Sequence, residues 1–172
     1  GPVLESGEFV ETLEKMRQAG KVRHYGVACD TVDQARICLR YPEVSTLQFP
    51  FGLLDLEALD GFLAEASARN VGLIARGCFG GGLLKSGIPE EELKKLNVKW
   101  PRVLAIRQTA AEMGRPVLDV ALHFVLARQE VCTTLLGMRT ADHLASNLEL
   151  YAAPALKADQ VAALAAASRV SA

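Results

Sequence analysis

Residues 133–150, TTLLGMRTADHLASNLEL, place a β-branched and leucine-rich run, a glycine, an arginine and a fresh helix start within a few positions of one another. The first amides of a helix have no intrahelical partner and sit at the positive end of its dipole. A strand that breaks at Gly137, presents Arg139 and opens a helix at Thr140 therefore has the parts of an anion site. Thr140 is the cap, the amides of Ala141, Asp142 and His143 are the expected free donors, and Arg139 is the fixed charge, which together suit a phosphate monoester. Asp142 counts mildly against this, because an acid in the first turn already compensates the dipole. The alternative is an ordinary capped helix beside a solvated arginine.

Outward from this stretch, helices and strands alternate. Phe9, Leu13 and Met16 at helical spacing predict a helix over residues 8–19, ended by Gly20. The run VRHYGVA, residues 22–28, reads as a strand, followed by Thr31 and Gln34 as a capping box for a helix through Leu39. STLQFPF from Ser45 is a second strand ending at Pro50, and Leu56, Leu59, Phe62, Leu63 and Ala66 mark the apolar side of a helix stopping near Asn70. VGLIA, residues 71–75, and VCTTLL from Val131 read as strands covered on both faces. Between them fall a glycine-rich loop, a long loop around Trp100 and two helices, residues 101–113 and 116–128, each opening on a proline. A last helix is predicted over residues 157–168. Strand-helix alternation implies parallel pairing through right-handed crossovers. Several strand ends carry residues of ligand-binding type: Gln48 near the end of the second strand, the glycines after the third, and Gly137 and Arg139 after the fourth. That is the habit of a TIM barrel, whose chemistry sits at the C-terminal face. A barrel needs eight strands and four are readable, so the predicted fold class is α/β, half of a (β/α)8 barrel in a single domain.

Composition narrows the partners. The chain has 172 residues, half of them apolar, enough for a core without staples. Nineteen basic residues against twenty acidic ones leave a net charge of −1 with no run of one sign, which argues against nucleic acid or an anionic membrane. No apolar run approaches the roughly 18 residues of a membrane span. The four cysteines, Cys29, Cys38, Cys78 and Cys132, lack zinc or iron–sulfur spacing and no signal peptide is read before them, so they are expected to be reduced and the chain cytoplasmic. Gly1-Pro2 reads as a scar left by removal of a tag.

Taken one at a time, the site residues have plain physical roles and plain alternatives. The amide of Gln48 offers a donor and an acceptor, as a carboxamide ligand requires, and is equally suited to a solvated loop. Phe51 offers a ring for stacking or for the core. Gly80, Gly81 and Gly82 let backbone approach a bulky ligand or make a flexible lid. Cys78 has no readable base beside it and is taken as packing.

Four phrases in order carry a resemblance: GKVRHYGVA (20–28), LQFPFGLLD (47–55), LIARGCFGGGLLKSG (73–87) and LLGMRTADHLASNL (135–148). Together they resemble the fifth to eighth strands of an aldo-keto reductase, the C-terminal half of its barrel, from about Glu8 to Leu164. The resemblance implies that Gln48 holds a nicotinamide carboxamide and that Phe51 stands for the ring stacked on it. It places Gly77, Phe79 and Gly82 in the loop over the pyrophosphate, and Gly137, Arg139, Thr140 and His143 at the ribose phosphate that distinguishes NADP from NAD. Asn147 falls to one side of the adenine.

Several positions depart from the family pattern. Ala28-Cys29 stands where the family has serine-asparagine on the nicotinamide, and Gly77 and Cys78 stand for a common serine and proline. His143 and Ser146 replace a common glutamine and glutamate. The family's catalytic aspartate, tyrosine, lysine and histidine belong to the other half of the barrel, and no histidine or tyrosine here falls in a matching motif; His24 is read inside a strand and His123 inside a helix. No catalytic residue and no metal ligand is therefore assigned. The resemblance implies an NADP-binding half of an oxidoreductase that moves hydride between nicotinamide and a small carbonyl substrate, inactive by itself. The alternatives are a non-enzymatic nucleotide-binding or regulatory module, and a half-barrel that binds nothing. A half-barrel leaves two strand edges and an apolar inner face uncovered. A homodimer or a complementary half-barrel is the expected partner.

Overall fold

The computed structural model describes residues 2–85, 87–96 and 99–170; Gly1 of the Gly1-Pro2 pair singled out above lies outside them. Four strands, β1 (Gly26–Ala28), β2 (Thr46–Pro50), β3 (Gly72–Arg76) and β4 (Val131–Leu135), form one parallel sheet in chain order. The helices among the described residues are α1 (Pro2–Ser6), α2 (Glu8–Gln18), α3 (Val32–Cys38), α4 (Phe62–Ala68), α5 (Glu90–Leu96), α6 (Trp100–Glu112), α7 (Val117–Leu126), α8 (Ala141–Ala152) and α9 (Ala158–Ala167), with short 3-10 turns at Glu57–Leu59 and Gly80–Gly82. None is long and apolar enough to cross a membrane. The α/β half-barrel read from the sequence is the architecture observed.

The sheet has one covered face. Burial alternates along β2 and β3, so Leu47, Phe49, Leu73 and Ala75 enter the core beneath the helices while Thr46, Gln48, Pro50, Gly72, Ile74 and Arg76 line the other face, half exposed. Phe49 meets Phe62 of α4 edge to face at 5.1 Å, which fixes the helix-facing side. The expectation that β3 and β4 are covered on both faces is thus corrected. In β3 only alternate residues are buried, and β4, an edge strand, has no buried residue. The open face is also more polar than expected, because Thr46, Gln48, Arg76 and Thr133 share it.

Other boundaries moved for local reasons. The first strand is three residues long, because β2 begins its pairing only at Thr46, opposite Gly26. Tyr25 is turned away to donate to Glu14 Oε1 of α2 at 2.9 Å, and His24 lies outside the strand with Nδ1 3.5 Å from Ser45 Oγ. The helix expected through Asn70 is broken at Gly61 (φ 89°), and Asn70 itself ends α4's turn at φ 56°. Pro116 is the extended cap of α7, not its first helical residue. Part of the loop expected near Trp100 is α5, whose glutamates open it and lysines close it in the order the helix dipole favours. At α3 the Thr31 hydroxyl accepts from Gln34 N at 3.2 Å, and the Gln34 side chain reaches one residue further back than a capping box requires, to Asp30 N at 2.8 Å.

Candidate functional site

The C-terminal ends of β3 and β4, the glycine-rich loop and the start of α8 enclose a groove of about 930 Å³. Seven of the ten residues singled out in the sequence line it: Gly77, Phe79, Gly82, Gly137, Arg139, His143 and Asn147. Arg76, Lys85, Leu118, Leu135, Met138 and Leu150 line it as well. None of the described residues that line it is an acid; Lys85 and Arg139 bring positive charge to the groove, while Arg76 is paired with Asp30. That charge pattern draws an anion.

The remaining three are placed elsewhere. Thr140 caps α8, its hydroxyl accepting from His143 N at 3.2 Å. The His143 amide is therefore spent, and the donors left at the helix start are those of Ala141 and Asp142; this corrects the expectation of three free amides. Gln48 sits half-buried on the open face, in register with Ala28 and Ile74 and outside the groove. Phe51 is fully enclosed, with ring centroids of Phe49 and Phe124 each 6.2 Å away, and offers no free face for stacking. The chain turns inward after Pro50, where Gly52 and Asp55 exchange backbone hydrogen bonds.

Local geometry suits a ligand with phosphates. Gly77, Gly81 and Gly82 have φ of 78°, 64° and 93°, and a Cβ at any of them would meet nothing within 4 Å, so backbone faces open space. The His143 ring folds back so that Nδ1 accepts from Arg139 N at 3.2 Å; in the neutral ring this leaves the proton on Nε2, a second donor beside Arg139. Asn147 is only 9% exposed, yet its Nδ2 has no hydrogen-bond partner among the described residues. A buried amide without a partner costs about 1–3 kcal/mol and asks for an explanation such as a ligand.

Arg76 and Lys85 were missed by sequence reasoning. Arg76 ends β3 on the open face and donates to Cys29 O at 3.1 Å and Asp30 Oδ1 at 2.9 Å. Period two along β3 would have placed it there once its register was known. Cys78 is buried, and burial pushes its thiol up to about 11, in keeping with packing and against a nucleophile at neutral pH. His123 is buried within α7, with Nε2 3.1 Å from Leu150 O, the packed imidazole expected of it.

The matching family model, described as "Aldo/keto reductase family", spans residues 2–169. The chain belongs to the aldo/keto reductase family. Among curated relatives, the protein named tas of Escherichia coli (strain K12) is 28% identical over 171 residues, covering 86% of this chain and 49% of that protein. L-galactose dehydrogenase of Arabidopsis thaliana is 26% identical over 147 residues, covering 82% of this chain and 46% of its own length. Among solved structures, the holo form of an aldo-keto reductase from Bacillus halodurans superposes with a TM-score of 0.80 at 23% identity over 93% of this chain and 55% of that one. The glycerol dehydrogenase of Gluconobacter oxydans gives 0.71 at 24% identity, over 97% and 54%. The chain spans about half the length of the relatives it matches, and its fold is that of half an aldo/keto reductase barrel.

Proposed function

We propose that this chain is the cofactor-binding, C-terminal half of an aldo-keto reductase-type oxidoreductase and that its groove takes NADP(H). The observation that carries the reading is the unpartnered, buried Asn147 amide in a groove that also presents Arg139, Lys85 and the start of α8. An adenine ring edge supplies the acceptors that Asn147 Nδ2 lacks. A ribose phosphate fits Arg139 with the Ala141 and Asp142 amides, and the open backbone of Gly81 and Gly82 admits a pyrophosphate. The bound dinucleotide supplies the hydride for a carbonyl substrate. Gln48, in the middle of β2 on the open face it shares with Thr46, Arg76 and Thr133, is the group for the carboxamide; Phe51 is not retained as a stacking ring. None of the chain's own residues is given the proton-donor role.

One observation favours the second reading, a nucleotide-binding module without catalysis. Ala28 has no polar side chain, and Cys29 is buried with its Sγ 3.9 Å from Cys38 Sγ, so neither offers a nicotinamide the bonds of the family's usual pair. Calorimetric titration with NADPH and NADH tests the shared core of both readings. NADPH should bind at least tenfold more tightly, and Arg139→Ala should remove that preference, at a cost of about 1.5–3 kcal/mol for a hydrogen bond to a charged group. Equal affinities in the unmodified chain would reject the assignment.

A further inference from the structure

Arg107 stands on α6, outside the groove, and its guanidinium is spent on one loop. Nη1 donates to Ile88 O at 3.0 Å, and Nη2 donates to Leu83 O at 3.1 Å and to Lys85 O. Its Nε is buried without a partner, and no carboxylate pairs with it among the described residues. Burial holds its pKa below the usual arginine value. The half-buried guanidinium has only backbone carbonyls as partners, and its rigid fork fixes the segment that supplies them.

The gripped segment needs holding. Residues 80–85 rest on short local turns: Gly82 N to Phe79 O at 3.1 Å, Leu83 N to Gly80 O at 3.2 Å and Lys85 N to Gly82 O at 3.0 Å. Gly81 and Gly82 have no side chain with which to anchor it, and Leu84 is its one buried side chain. The same segment brings Gly81, Gly82 and Lys85 to the groove. Arg107 fastens it from behind on both sides of Lys85.

We infer that Arg107 is a positioning residue that holds residues 80–85 against the groove and thereby sets how long a phosphate-bearing ligand stays bound. The ligand half of this inference rests on the NADP(H) reading; the loop half does not. A fastened loop acts mainly on escape, so its loss appears in the dissociation rate more than in association.

Two measurements on Arg107→Ala and Arg107→Lys test it: amide hydrogen exchange of the ligand-free chain, and NADPH release by stopped flow. Exchange within residues 80–85 should accelerate about tenfold in Arg107→Ala, the effect of one or two lost hydrogen bonds, with the sheet and α8 unchanged. Arg107→Lys keeps the charge without the fork and should fall between. NADPH release should quicken by a similar factor, with association within about twofold. Unchanged exchange at residues 80–85 in both variants overturns the inference whether or not NADPH binds, and faster exchange with unchanged release overturns its ligand half. A wild type that binds no NADPH rejects the proposed function instead, and exchange still decides the loop role. Should Arg107→Ala fail to fold, Arg107→Lys alone decides, since a general loss of stability would raise exchange throughout the chain.

Discussion

Asn147 shows what a single residue concedes for a site. Its Nδ2 is buried without a partner among the described residues, an arrangement that costs stability unless a ligand completes it. Asn147→Leu fills a similar volume without the orphaned donor. It should raise the thermal midpoint of the ligand-free chain by about 2–6 °C for a gain of about 1–2 kcal/mol at this size, and weaken NADPH binding at least tenfold. A lower midpoint in a calorimetric scan would mean that the amide is satisfied in solution and carries no such signal. Arg139 was legible because it follows a strand and a glycine and precedes a capped helix start, each a local pattern, whereas Asn147 was reached only through the family resemblance. Arg76, Lys85 and the enclosure of Phe51 were not, because each depends on which way the chain turns after a strand. Gly52 decides that turn for Phe51: a Cβ there would lie 2.9 Å from Cys78 Cα, so the close approach that buries the ring is set by a residue 26 positions away.

At the level of elements, period and punctuation located all four strands, and tertiary pairing decided their lengths. β1 is short because its ladder is dictated by β2, and the two approach most closely at Gly26, where a Cβ would fall 2.0 Å from Thr46 Oγ1 and 2.4 Å from Thr46 O. No rotamer of Thr46 removes a clash with its own carbonyl. Gly26→Ala must therefore push β1 off the sheet, and should destabilise the chain by about 1–3 kcal/mol in urea unfolding, the range for overpacking. A variant as stable as wild type would show that β1 adds little to the sheet. Coverage misled the reading of β4: its apolar run resembles a central strand, yet it forms an edge, and the sequence signals of the two differ only in what lies beside them.

Among the described residues the sheet has two unpaired edges, β1 and β4, and exposed apolar surface gathers beside β4. Leu135, Met138, Leu144, Leu148 and Tyr151, the last 65% exposed, line a second hollow of about 490 Å³ beside β4. Edges and patches of this kind associate. Light scattering of the chain at low micromolar concentration should therefore show self-association, most simply a two-fold dimer; a monodisperse monomer would contradict this. The groove tests the central claim more directly. In the isotopically labelled chain, adding NADPH should shift the amide resonances of Ala141, Asp142, Gly81 and Gly82, while Leu148 and Tyr151 in the second hollow stay silent. Shifts confined to that hollow, or none at a millimolar excess of NADPH, would contradict the account.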